Sequence, residues 1–163
     1  MRFAHLSDLH LGKRVCEFSM LEDQKYILEQ ILALLDAHPV DGVLLAGDLY
    51  DKPVPPAEAV RLLDWFLTQL AVRGLPVFAI SGNHDSADRV AFGSALLETS
   101  RVYVSPAFSG APQPICLADE HGPVDVYLLP FLKPASVRHV WPDEPIESYN
   151  DALACVLRHC TPD

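Results

Sequence analysis

Three apolar runs in the first half of this chain stop in the same way, on a small residue followed by a carboxylate, an imidazole or an amide. The runs are "RFAHLSDLH" (2–10), "VDGVLLAGDLYD" (40–51) and "PVFAISGNHD" (76–85). Between them the apolar positions switch to a helical spacing. Leu21, Ile27, Leu28, Ile31, Leu34 and Leu35 share a face over 20–38, and that helix ends near His38-Pro39. Val60, Leu63, Phe66, Leu67 and Leu70 do the same over 57–73, with Gly74 as the stop. Strands alternating with helices of this length pair in parallel, because each crossover helix returns the chain to the same end of the sheet. The chain therefore predicts an α/β sheet core flanked by helices. In such sheets ligands gather at the carboxyl ends of the strands, where the polar endings fall.

The second half is less regular. A shorter helix is expected over 87–98 and a fourth strand at "RVYVS" (101–105). A hairpin follows, with strands near 113–118 and 124–129 and a turn at 120–123. The segment "KPASVRHVWPDEPIESYN" reads as a polar, proline-rich loop, and 148–160 as a closing helix. No repeat or linker divides the chain. With 163 residues, half of them apolar, it forms one domain with a buried core.

Composition narrows the classes of function. No apolar run reaches the roughly 18 residues a membrane span needs. The N-terminus lacks the apolar stretch and cleavage site of a secretion signal, so a cytoplasmic location and no membrane partner are expected. Cys16, Cys116, Cys155 and Cys160 have no paired spacing and read as reduced core fillers. Cys155, His159 and Cys160 form the most tempting group, because Cys155 and His159 share a helix face, but a zinc site needs four ligands with a partner pair elsewhere, so the group is set aside. The net charge of −10 argues against a plain nucleic-acid-binding module. An enzyme acting on phosphates remains open, since carboxylates gathered round divalent cations invert the local field.

The chemistry sits in the three endings. Asp8 and His10 are two apart on an extended segment, so their side chains point the same way and can grip one cation. Asp48 has two oxygens and can bridge to a second ion, while Asn83 offers an amide oxygen. This donor set suits manganese, iron or zinc. Two cations about 3.5–4 Å apart would activate a water and clamp both oxygens of an in-line phosphoryl displacement. Taken singly, each residue has a structural reading: Asp8 a helix cap, His10 a surface residue, Asp48 a turn carboxylate, Asn83-His84 a loop corner. Their joint occurrence at three successive strand ends favours the metal site.

"DLH", "GDLYD" and "GNHD" resemble the calcineurin-like metallophosphoesterase family, whose pattern is D-x-H, G-D-x-x-D, G-N-H-[DE], then a lone histidine and an H-x-H. "HLSDLHLGKRV", "ISGNHDS" and "LLPFLKP" further resemble its SbcD-like branch of bacterial DNA-repair nucleases. The resemblance implies a β-sandwich core in a four-layer α/β/β/α domain. Asp8, His10 and Asp48 would hold the first metal, Asp48 and Asn83 the second. His84 would face the scissile phosphate, with Asp51 orienting its ring. Asp85 would cap the helix that follows. The metals would be two divalent ions, manganese foremost, with magnesium, iron or zinc as alternatives.

The lone histidine and the H-x-H have no counterpart here. His121, His139 and His159 are isolated. The resemblance therefore implies that residues 1–163 are the N-terminal part of a nuclease domain, truncated before the remaining ligands, the capping domain and the partner-binding region. The implied activity is two-metal hydrolysis of phosphodiesters at double-stranded and hairpin DNA ends. The implied partners are DNA ends, an SbcC-like ATPase and a second copy of the protein, with 57–73 and 87–98 as candidate dimer surfaces. The fragment alone would bind one metal weakly and show little nuclease activity. Alternatives are a small-molecule phosphodiesterase or phosphatase of the same superfamily, and a non-catalytic scaffold.

Overall fold

In the computed structural model, which describes residues 1–160, the apolar runs form one parallel sheet. Its strands are β1 (Phe3–Leu6), β4 (Gly42–Ala46), β5 (Val77–Ile80) and β6 (Val102–Val104), in the order β1-β4-β5-β6. The register pairs Leu6 with Leu45, and Ala46 with Ile80, so the strands end level with one another. A small antiparallel ribbon, β2 (Arg14–Val15) with β3 (Phe18–Ser19), follows β1. The expected hairpin is β7 (Pro114–Asp119) with β8 (Gly122–Tyr127). Among the described residues the second strand layer is limited to this hairpin.

The crossover helices are α1 (Leu21–Ala37) and α2 (Ala57–Val72). α2 buries Ala59, Leu62, Leu63, Phe66 and Leu70, a continuous stripe packed on α1 and β5. α1 buries Leu28 and Leu32, while Ile27 and Leu34, expected on its inner face, are more than half exposed. The stripe is thus rotated toward Leu32 and narrower than its apolar content suggested. Burying Leu28 and Leu32 fully still stabilises by about 1.5–3 kcal/mol per side chain.

Two expectations need correction. The helix over 87–98 is two short pieces, α3 (Ala87–Val90) and α4 (Ser94–Glu98). Gly93 between them sits at φ 74°, a left-handed conformation that breaks a helix and that glycine adopts without steric cost. The polar loop over 133–150 contains α5 (Pro134–Val140). Pro134 starts it because a first-turn residue needs no N–H partner and the ring presets φ. The closing helix, α6 (Tyr149–His159), is held at its start by a reciprocal pair: the Ser148 hydroxyl accepts from Asp151 N, and the Asp151 carboxylate accepts from Ser148 N. Leu132, Val137, Ile146, Ala152, Cys155 and Val156 form a second core cluster with α5 and α6, apart from the one under the sheet.

Candidate metal centre

Parallel pairing does not stop where β1 and β4 end. Asp8 N donates to Gly47 O (3.1 Å), His10 N to Asp48 O (2.9 Å) and Leu11 N to Leu49 O (2.9 Å). The "DLH" and "GDLYD" segments are therefore zipped side by side as loops. Gln24 on α1 fastens the first from behind. Its amide donates to Leu9 O (3.1 Å) and His10 O (2.7 Å) and accepts from Gly12 N (3.0 Å). Nothing in the sequence signals this role, because one glutamine in an amphipathic helix looks like any other.

The third ending is tied in by two carboxylates. Asp48 Oδ1 accepts from His84 N at 3.0 Å. Asp85 reaches the other way, accepting from Leu49 N (3.0 Å), Tyr50 N (2.9 Å) and Gly82 N (2.9 Å). Asp85 is therefore not the cap of α3, whose N-cap is Ser86 and has no side-chain cap bond; it locks the "GDLYD" and "GNHD" loops together. The approach of these loops requires glycine. A Cβ on Gly82 would lie 2.1 Å from Asp48 Oδ1 and 2.3 Å from Asp48 N.

The site residues converge as follows. His10 Nε2 lies 3.8 Å from Asp8 Oδ1 and 3.8 Å from Asp48 Oδ2. Ligand atoms that each sit about 2.0–2.2 Å from one cation can be this far apart. His10, Asp48 and His84 offer ligand atoms all within 4.8 Å of one another, and the two imidazoles meet edge to face with centroids 4.8 Å apart. Asn83 lines a shared cleft with Asp8 and Asp48. Asp51 is present, but the contact differs from the one expected. His84 Nδ1 donates to the Asp51 main-chain carbonyl at 3.1 Å, while the Asp51 carboxylate lies 3.7 Å from His10 Nδ1 and 3.9 Å from Lys13 Nζ. "LLPFLKP" acquires a place too: Leu129, Pro130 and Phe131 wall the same cleft, and Phe131 N donates to Ser81 O at 2.9 Å.

Three observations fit this cluster to a divalent cation. Asp48 is the one charged residue buried among the described residues, and a buried carboxylate is costly without a compensating positive charge. His10, its side chain 19% exposed, turns Nε2 toward both the Asp8 and the Asp48 carboxylate. Asp8, His10 and Asp48 hold left-handed backbones, at φ 57°, 44° and 50°. Such conformations cost about 1–3 kcal/mol each and cluster where function fixes a side chain. A divalent cation held by carboxylate, imidazole and amide donors of this kind would polarise a phosphoryl oxygen and activate water.

The family model described as calcineurin-like phosphoesterase matches residues 1–152. The SbcD component of the SbcCD nuclease from Staphylococcus epidermidis is 36% identical over 154 residues, covering 94% of this chain and 40% of the relative. Its namesake from Staphylococcus saprophyticus is 33% identical over 160 residues, covering 98% of this chain and 42% of the relative. The chain spans about two fifths of the length of the curated relatives it matches.

Proposed function

The chain belongs to the calcineurin-like phosphoesterase family, and from that premise we propose that it is the N-terminal part of a metal-dependent DNA nuclease. The activity proposed is exonuclease and endonuclease cleavage at double-stranded and hairpin ends, in repair and recombination. The observation that carries this reading is the continuation of β1–β4 pairing into the loops, which delivers Asp8, His10 and Asp48 to one point. Similarity over nearly the whole chain to proteins named as nuclease components supports DNA as the substrate class.

Each residue then has a task. Asp8, His10 and Asp48 hold one cation, manganese being the best match to mixed carboxylate and imidazole donors, with magnesium, iron or zinc also compatible. Asp48 and Asn83 contribute to a second. When bound, the cations polarise the phosphodiester and supply an activated water. His84 donates from Nδ1 to the Asp51 carbonyl, which leaves Nε2 to protonate the departing oxygen or to donate to the phosphate when the ring is charged. Asp51 thus positions His84 through its main chain and His10 through its carboxylate. An SbcC-like ATPase and a second copy are the proposed partners, by analogy with the relatives' name and family.

The test is cleavage of a blunt duplex and a hairpin oligonucleotide, with manganese, by the protein at its relatives' length. Cutting of both, abolished in Asp48→Ala, is expected. Hydrolysis of bis-p-nitrophenyl phosphate with DNA left intact would instead assign a small-molecule phosphodiesterase.

A further inference from the structure

The pair Cys155 and His159 lacks partner ligands in the sequence, and the fold brings one. Glu144, in the loop after α5, joins them so that a carboxylate oxygen, the thiol sulfur and an imidazole nitrogen lie within 4.8 Å of one another. This cluster belongs to the second core and shares no residue with the strand-end site. Cys155 and His159 are one helical turn apart, so their side chains lie on the same face. Cys155 Sγ and His159 Nδ1 are 3.9 Å apart, within the span of two atoms bound to one cation at about 2.3 and 2.1 Å.

The surroundings hold the three groups in place. The His159 ring stacks on Trp141, with centroids 4.2 Å apart and planes 19° apart. Arg158 donates to Glu144 Oε2 at 2.8 Å, which fixes that carboxylate and leaves Oε1 with lone pairs to spare. His159 Nδ1 donates to the Cys155 carbonyl at 2.9 Å, a bond that a cation would replace. Thiolate ligation would release the Cys155 proton to solvent as the cation binds.

We propose that Glu144, Cys155 and His159 form a second metal site, selective for zinc-like cations, with solvent as the fourth ligand. A thiolate selects zinc over manganese, whereas the strand-end carboxylates, imidazole and amide also accept manganese. One chain can then hold different metals at its two sites. The cation would clamp the segment between α5 and α6 onto α6 and stabilise the second core by mass action.

Cobalt(II) chloride, titrated into the reduced 163-residue chain, tests this, because a sulfur-to-cobalt charge-transfer band arises only from a thiolate ligand. One equivalent should produce the band, unchanged in Asp48→Ala and in Cys160→Ser. The band should vanish in Cys155→Ser. In His159→Ala, affinity should fall about 100-fold or more, beyond the roughly 10–100-fold cost of losing an outer hydrogen-bonding partner. His159 is exposed, so this variant decides the matter should Cys155→Ser fail to fold. No band with wild type, a band surviving Cys155→Ser, or unchanged affinity in His159→Ala overturns the proposal. Retention of the band in Asp48→Ala keeps this outcome separate from any result at the strand-end site.

Discussion

Gly82 and Asp85 stand in the third loop, yet both act on the second. A methyl group at Gly82 would overlap the Asp48 carboxylate, so Gly82→Ala must push Asp48 or the whole loop aside. Loss of manganese binding by calorimetry is expected, with destabilisation of about 1–3 kcal/mol from overpacking. Asp85 satisfies three main-chain donors. Removing a charged acceptor from part-buried donors costs about 1.5–3 kcal/mol, so Asp85→Ala should lower the denaturation midpoint by that measure and weaken metal binding. Tyr50 gives a pH signature. Burial first, then the charges of Asp85 and Asp64, push its hydroxyl from 10.0 up to about 12. The folded state thus keeps a proton that the unfolded chain releases. The stabilisation is whole below pH 10 and is lost as pH rises toward about 12. Tyr50→Phe should flatten this alkaline fall in a urea titration series.

At the scale of elements, legibility in the sequence follows how local the determinants are. The parallel strands and both crossover helices are readable because their periodicity is long and their stops, Gly74 and Pro39, are chemical. The β2–β3 ribbon is not. Its two turn residues, Cys16 and Glu17, adopt φ 47° and 67° without the asparagine or glycine that normally marks such a turn. α5 hides behind a proline-rich composition, although Pro134 is where a helix tolerates proline. For the site, the ligand candidates are visible in the three endings. Gln24, Asp85 and the Asp51 carbonyl are not, because their partners are main-chain atoms brought near only by folding. Ser148 offers an element-scale check: Ser148→Ala removes one half of the α6 capping pair and should cost about 1 kcal/mol. That fall should shrink in acid without vanishing: hydrogen bonds from Ser148 and Glu147 hold the Asp151 carboxyl below its usual range, so the bond from the Ser148 hydroxyl weakens once it protonates, while the cap bond from Asp151 N to Ser148 Oγ is unaffected.

For the whole molecule, the two core clusters set the order of opening. The parallel sheet and α2 supply most of the fully buried side chains, Phe66, Phe78, Leu45 and Leu70 among them. No residue of β7 or β8 is buried, and the ties of the hairpin to the rest include the Met1 ammonium to Asp119 and, just past β8, Ser105 Oγ to Leu128 O. Native-state hydrogen exchange should therefore find the slowest amides in β4 and β5 and earlier exchange in β7 and β8. The described helices include none long and apolar enough to cross a membrane. The strand-end loops join the first core, so manganese should raise the melting temperature of the chain and a chelator should reverse it. Asp48→Ala should remove that response.

The left-handed backbones of Asp8, His10 and Asp48 bear on how such a chain could be engineered. At these positions side chain and main chain make opposing demands: cation binding asks for a donor, and the local fold asks for glycine. A stability-only redesign would choose glycine at Asp8, whose side chain is largely exposed, and so yield a tougher protein with a crippled metal site, whereas Asp48 would be kept because it also accepts the His84 N–H. Asp8→Gly should thus be more stable than Asp8→Ala, reversing the usual ranking of those two residues, while both lose the cation. Selection for thermal robustness alone would erase this centre before it touched the core.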